Sequence, residues 1–335
     1  MDPLRIAVVL PHLGVYGGIR RFFELGRVWT ARGHEVSLLT PTAARPWLPF
    51  SGRIGTLEEL PSSKWDVLLS PDPVLFLQSK APGALRVFYA VLEGAPRARE
   101  ASRSADLVIA NSLGMARYLR RNRVRAVHAP GGVNTEFFRP PYPDPRPARA
   151  RVGEPVRVLV YGRLSRKRKG SWTAVRAVEA AAVASRAAIT LTLFDAPPPG
   201  AETPSLGRAI AVPHEWALDP TQEELRALYG NADLFVSAER RAGWSNTSAE
   251  AMACGAAVVC TRSGTEDFAE NGVTASVARW PWTWLLARKI VPLLDPDLRL
   301  GIAARGRERI AQFTWERTAD RIMRALDEAL ARRKR

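Results

Sequence analysis

Short apolar runs alternate along this chain with longer stretches in which apolar residues recur at helical spacing. Leu4–Leu10 is compact, apolar and rich in β-branched residues, and reads as a strand. Beyond a glycine-rich turn at Gly14–Gly18, Phe22, Phe23, Leu25, Val28 and Trp29 predict a helix over 19–31, ended by Gly33-His34. Glu35–Thr40 is the next strand, which completes one βαβ unit. Asp66–Ser70, Leu85–Tyr89, Leu107–Ala110 and Arg125–Ala129 are further strands, with a helix over Met115–Arg121. The plan then restarts: strand Val156–Tyr161, a turn, a helix over 171–184, and strand Ala188–Phe194. A helix at Gln222–Gly230, a strand at Leu234–Ser237, a helix at Thr247–Cys254 and a strand at Ala257–Thr261 follow. From Trp284 the pattern is mostly helical, broken near Pro292–Pro296, and Thr314 is placed to cap the last helix. Asp320 and Arg324 stand one turn apart for mutual charge support.

Strands alternating with helices argue for parallel α/β architecture, and a plan begun twice argues for two nucleotide-fold domains. Between them, Phe138–Pro155 is rich in proline and arginine with little periodicity, which is a linker composition. The division expected is 1–150 and 151–314, with 315–335 a final helix.

Composition narrows the class. No run approaches the roughly 18 apolar residues of a membrane span, and the first strand lacks a signal-peptide cleavage pattern. The expected compartment is the cytoplasm. The net charge is +16, and only 6 of the 49 basic residues are lysine. Such a surface attracts anions, whether sugar nucleotides or lipid headgroups. Zinc-finger spacing, aromatic RNA-binding signatures and basic heptads are absent, so nucleic acid is not an expected partner. Cys254 and Cys260 flank an Ala/Val run without ligand or redox spacing and read as buried thiols.

Four segments carry chemistry. Gly14-Val15-Tyr16-Gly17-Gly18-Ile19 joins a strand to a helix; it is either a tight turn or a place where backbone amides and a helix N-terminus meet a phosphate. Pro130-Gly131-Gly132-Val133-Asn134 is the second. Val160-Tyr161-Gly162-Arg163-Leu164, followed by Ser165-Arg166-Lys167-Arg168-Lys169-Gly170, delivers cations from a strand's end, chemistry suited to a diphosphate. The fourth runs from Trp244 through Glu250 to Gly255, then Val258-Val259 and Gly264-Thr265-Glu266-Asp267.

In order and spacing these segments resemble the retaining glycosyltransferases of family 4, with the GT-B fold, over nearly the whole chain. The resemblance implies two Rossmann-like domains facing across a cleft: an acceptor side at 1–150, a nucleotide-sugar side at 151–314, and a final helix packing back toward the first domain. It implies transfer of a hexosyl or deoxyhexosyl group from a nucleotide diphosphate-sugar to a glycan or lipid-linked acceptor, without metal or other cofactor. Arg163 and Lys169 then neutralise the diphosphate, with Arg168 or Lys167 as substitutes in a loop one residue longer than usual. Glu250 holds the ribose, and Gly17 and Gly18 lie against the phosphate. The family's first glutamate, seven residues before Glu250, falls at Ala242. Glu239 reaches the same space, or the backbone of Gly243, Trp244, Ser245, Asn246 and Thr247 holds the sugar. A catalytically silent sugar-nucleotide-binding scaffold and a GT-B epimerase are the alternatives.

Other features are assigned plainer roles. Asp295-Pro296-Asp297 reads as a turn or cap between helices rather than a metal motif. Of His12, His34, His128 and His214, only His12, ending the first strand, is a candidate for acceptor binding or catalysis. Loop 212–218 is a candidate for base contacts. Trp280-Pro281-Trp282-Thr283-Trp284 is expected to pack between domain and C-terminal helices, with peripheral insertion at the inner membrane surface as the second reading. Arg332–Arg335 is expected to fray.

Overall fold

The computed structural model describes residues 2–14, 17–164, 166–196 and 209–333. Val15 and Tyr16 of the glycine turn, Ser165 of the cationic loop, and Lys334-Arg335 lie outside the described residues. The first elements are β1 (Arg5–Val9), α1 (Gly17–Ala31), β2 (Glu35–Thr40), β3 (Arg53–Thr56), β4 (Val67–Ser70), α2 (Pro73–Gln78), β5 (Leu85–Ala90), α3 (Ala98–Ser104), β6 (Leu107–Ala110), α4 (Leu113–Arg121) and β7 (Val127–His128). Next come α5 (Arg146–Val152), β8 (Val156–Tyr161), α6 (Ser171–Ser185), β9 (Ile189–Asp195), β10 (His214–Leu218), α7 (Gln222–Asn231), β11 (Leu234–Val236), α8 (Asn246–Ala253), β12 (Ala257–Thr261), β13 (Ser276–Ala278), α9 (Thr283–Ile290), α10 (Pro296–Ile310) and α11 (Trp315–Arg333).

Two compact units result. The first is 1–132 with 313–335; the second is 133–312. The chain thus changes unit ahead of the proline-rich stretch, and α11 is part of the first unit. The first sheet runs β3-β2-β1-β4-β5-β6-β7 and the second β10-β9-β8-β11-β12-β13, every pairing parallel. In each, the order reverses beside the unit's first long strand, between β1 and β4 and between β8 and β11. Open parallel sheets bind ligands at the strands' carboxyl ends at such a reversal.

Each sheet is buried on both faces by its helices, which is why its central strands are continuous Val/Ile/Leu runs. In the first unit α1 and α11 cover one face: Phe22, Phe23 and Trp29 pack with Trp315, Ile322 and Leu326 against Ile6, Val8 and Val87. The segment Pro130–Gly132 serves this packing. Thr318 donates its hydroxyl to the Pro130 carbonyl at 2.8 Å, and a side chain on Gly132 would collide with the backbone at Trp315. Thr314 caps α11 through the Arg317 amide at 3.3 Å. Asp320 does not pair with Arg324; its carboxylate meets Arg32 at 2.7 Å, while Arg324 donates to the Asp320 carbonyl. Helix α11 stays ordered to Arg333, which donates to the Gly83 carbonyl, so the fraying expected at Arg332-Arg333 is not seen.

In the second unit the expected linker holds a helix. Arg146 is 3% exposed, paired with Asp144 at 2.9 Å and donating to the Cys254 carbonyl at 2.8 Å. Arg149 meets Asp233 at 3.0 Å and the Asn231 carbonyl at 2.9 Å. The segment is anchored by polar bonds, so it shows no apolar period. Cys254 and Cys260 are free, buried thiols.

Candidate active site

The motif residues of the second unit meet at the β8/β11 reversal. Strand β8 ends in Tyr161, and Gly162 follows because the Trp216 indole occupies the space of a Cβ there. Arg163 comes next, 6% exposed. Its Nη1 donates to the Ala196 carbonyl at 2.6 Å and lies 3.4 Å from both the Asp195 carboxylate and the Tyr161 hydroxyl. Its Nε has no partner, so the guanidinium's donors are only partly used. Burial works against this charge, but Tyr161 and Asp195 hold the Arg163 pKa above its ordinary value. Burial pushes the Asp195 carboxyl upward, with Arg163 opposing.

The cationic loop closes in a 3-10 turn, Lys167–Lys169, and returns through Gly170, whose φ of 66° is left-handed. Gly170 lies so close to the Ala238 carbonyl that no side chain fits. This contact brings Lys169 to the end of β11. Its ammonium pairs with Glu239 and stands 5.4 Å over the Tyr161 ring. Arg168 is half-buried and Lys167 exposed, and the Arg168 carbonyl accepts from the Arg240 amide at 2.7 Å. Glu239 is 4% exposed, and its Oε2 has no partner. Tyr161, Lys169, Glu239 and Thr247 line one narrow, closely packed crevice. Tyr161, touching both cations, is a site residue that sequence reasoning treated as strand alone; its parallel-strand terminus next to Gly-Arg was the available signal.

Helix α8 supplies the second carboxylate. Ser245 fixes its start, donating its amide to the Gly264 carbonyl at 2.8 Å and its hydroxyl to Ser248 at 2.9 Å. Glu250, one turn on, accepts from the Tyr229 hydroxyl at 3.2 Å. The turn before α8 is held by the Ala242 amide on the Ser263 hydroxyl at 2.7 Å; Gly243 follows, and the Trp244 indole packs on Phe268 at 4.8 Å. Asn246 and Thr247 open the helix, half-buried. Gly17 and Gly18 belong to the first unit, where they open α1.

The remaining candidates separate. His12 is exposed and its Nδ1 accepts from the Gly14 amide at 3.2 Å, which puts the neutral ring's proton on Nε2. Buried His34 accepts from the Leu4 amide. Asp295 caps α10 by accepting from Leu298 N at 2.8 Å. The expected loop over 212–218 is mostly strand β10 at the sheet edge. The tryptophan cluster does not pack inward. Trp280, Trp282 and Trp284 are 50%, 50% and 54% exposed, because Leu286, Ala287 and Ile290 take the buried face of α9. The rings form a row, with centroids 6.2 and 5.8 Å apart and planes within 25° and 33°, flanked by Arg279 over Trp280. Among the described residues no group of three or more His, Cys, Asp or Glu could hold a metal, and no helix is long and apolar enough to cross a membrane.

Residues 155–296 match the family model described as glycosyl transferases group 1. Over 260 residues the chain is 28% identical to a D-inositol 3-phosphate glycosyltransferase of Acidothermus cellulolyticus, covering 69% of this chain and 55% of that protein. The chain therefore spans about half the length of the curated relative it matches. Among solved structures it is similar to a glycosyltransferase from Rickettsia africae, with TM-score 0.75 and 16% identity over 98% of this chain and 99% of that one. Anabaena HepE in complex with UDP-glucose gives TM-score 0.75 at 15% identity over 97% and 100%. WaaG, a glycosyltransferase of lipopolysaccharide biosynthesis, gives 0.72 at 15% over 97% and 99%. The two parallel-sheet units are those of the GT-B fold, and the match over the second unit, where the cations and carboxylates gather, supports a GT-B glycosyltransferase.

Proposed function

We propose that this protein is a retaining glycosyltransferase of family 4 that moves a hexosyl or deoxyhexosyl group from a nucleotide diphosphate-sugar to a glycan or lipid-linked acceptor. The observation that carries the reading is the gathering of Arg163, Lys169 and Glu239 about Tyr161 at the strand reversal of the matched domain, with Glu250 on the helix that follows β11. Arg163 and Lys169 take the leaving diphosphate, meeting charge as it develops; such preorganised stabilisation is a leading catalytic term. Glu250 holds the ribose, Glu239 Oε2 accepts a sugar hydroxyl, and the backbone of 243–247 borders the sugar. The sugar–phosphate C–O bond breaks and the acceptor oxygen bonds the same carbon on the same face. The acceptor's proton passes to the departing phosphate oxygen. The two cations carry the charge, and no metal or other cofactor is invoked. UDP-sugars head the donor candidates because a structural neighbour holds one.

The test is a metal-free panel of UDP-, GDP- and dTDP-sugars, with thermal shift for binding and nucleotide release for slow hydrolysis. Saturable stabilisation and release by one donor, lost in Arg163→Ala and Glu250→Ala, is the expected result. Binding without release or transfer on any acceptor would favour the silent-scaffold reading, for which the small, buried Ala242 in place of a glutamate is the specific support. The exposed tryptophan row, with no acidic residue between Asn271 and Leu294 and Arg279, Arg288 and Lys289 among them, supports peripheral docking on an anionic bilayer from the cytoplasmic side.

A further inference from the structure

Among the described residues of the first unit, the Arg21 guanidinium is buried without a carboxylate partner. Arg21, on the second turn of α1, is 2% exposed. Its Nε and Nη1 are enclosed and make no hydrogen bond. The other buried arginines differ. Arg146 and Arg149 each have a carboxylate, and Arg299 donates to the Leu293 and Leu294 carbonyls at 2.9 and 3.0 Å. Neighbouring Arg20 stands over the Trp47 ring. Arg21 has the π face of Tyr89, 5.2 Å from its Cζ, and Tyr89 is the group that bears on its charge. An arginine does not escape burial by losing its proton, and a ring face returns only part of what removing the ion from water costs.

Its surroundings are equally unfinished. The buried Tyr89 hydroxyl faces the Arg21 guanidinium and has no other partner, and Asn111 Oδ1 has none. Tyr89 pairs with Ile109 across β5 and β6, and Asn111, just past the end of β6, donates its amide to the Ala90 carbonyl at 3.3 Å. Tyr89 and Ile109 pack with Phe22 on the face that α1 covers. Incompletely bonded polar groups from three distant parts of the chain therefore stand toward the carboxyl ends of the first sheet's strands. Buried polar groups are ordinarily bonded, and a group left over calls for a ligand or water.

We propose that this edge of the first unit is an oxyanion subsite, in which Arg21 holds an acidic group, phosphate or carboxylate, of the acceptor. Tyr89 donates its hydroxyl to the same group and Asn111 Oδ1 accepts from an adjacent substrate hydroxyl. The assignment of the anion to the acceptor rests on the glycosyl-transfer reading; the anion site itself does not.

Inorganic phosphate at constant ionic strength is the probe, with melting temperature and calorimetric affinity as readouts. Wild type should be stabilised saturably. Arg21→Met should lose that response while melting, without phosphate, at or above the wild-type temperature. Arg163→Ala should keep the response, and saturating UDP should leave phosphate affinity unchanged. Arg21→Lys, which keeps the charge and loses the fork, should bind phosphate at least about tenfold more weakly and serves if Arg21→Met folds poorly. The proposal is overturned if wild type does not respond, if Arg21→Met or Arg21→Lys binds phosphate undiminished, or if UDP or Arg163→Ala abolishes the response, which would give the anion to the donor site. The two readings fail separately: phosphate binding through Arg21 without any nucleotide binding removes the transfer reading, and nucleotide binding without a phosphate response removes this one.

Discussion

The Lys169 ammonium is bonded to one carboxylate oxygen of Glu239, and the other oxygen, Oε2, is buried with no partner. One carboxylate thus positions a cation and keeps an acceptor in reserve, in a chain whose expected glutamate position is Ala242. Gln in place of Glu239 removes the charge while keeping shape. If Oε2 holds a sugar hydroxyl in the transition state, Glu239→Gln should cut nucleotide release and transfer by about tenfold or more while leaving UDP affinity equal or tighter, since Lys169 is freed. Equal loss of nucleotide affinity and turnover would place Glu239 with the diphosphate instead.

Gly170 offers a stability test of the same loop. Its φ is 66° and it abuts the Ala238 carbonyl, so alanine is strained twice over. Gly170→Ala should cost about 2–4 kcal/mol in urea unfolding and displace Lys169, lowering donor affinity as well. A variant with unaltered midpoint would show that the loop accommodates elsewhere.

The buried Arg149–Asp233 pair ties the proline-rich segment to the second sheet. Asp233 is 4% exposed, and its other oxygen accepts the Arg157 amide at 2.9 Å. Asp233→Ala leaves Arg149 buried without its charge and should cost about 3–5 kcal/mol. Differential scanning calorimetry of the variant checks this; a loss below about 1 kcal/mol, the size of an exposed ion pair, would contradict the burial.

What the sequence disclosed follows the same division between apolar and polar anchoring. Strands β2, β6, β8 and β12 are legible to the residue because burial on both faces makes short runs dominated by Val, Ile, Leu and Ala. Edge strands β3 and β10 carry half-exposed residues, RIGT and HEWAL, and leave no such trace. Helix α5 reads as linker because Arg146 and Arg149 are buried by carboxylates and carbonyls, which no hydrophobic period announces. At the site, Arg163, Lys169, Glu239 and Glu250 are legible by type and spacing. Asp195 is not, since its contact with Arg163 arises from the adjacency of β8 and β9, 32 residues apart in the chain. The tryptophan row shows the converse: aromatic composition alone does not say which side of α9 faces water.

The two thiols give a pH test. Burial pushes both Cys254 and Cys260 up to about 12. At pH 8 a thiol of that pKa is thiolate in about one molecule in ten thousand, so the folded protein should not react with a disulfide reagent on the minute scale. Both thiols should titrate once the chain is unfolded in guanidinium. The sign of the linkage follows. The folded pKa lies above the unfolded value, so the unfolded chain loses its protons first. Stability is unaffected below pH ~8.5 and falls as pH rises from there toward 12. A double Cys→Ala variant should show a shallower fall across that window.

The exposed row of Trp280, Trp282 and Trp284 is the last test. The three rings lie near one another at shallow angles, and Arg279 stands over Trp280, so the exposed row carries a cation beside its indoles. Exposed indoles beside cations suit the headgroup region, where amphipathic rings settle and basic residues meet anionic lipid. Vesicles of phosphatidylglycerol mixed with phosphatidylcholine should therefore blue-shift the protein's fluorescence and sediment it, and neutral vesicles should do so weakly. Removing one half-exposed indole forfeits roughly 1–2 kcal/mol of further burial, so Trp282→Ala should weaken binding about tenfold. The effect should persist at salt concentrations that screen arginines alone. Binding that vanishes with salt and ignores Trp282→Ala would mean that net charge, not the tryptophan row, holds the protein to the bilayer.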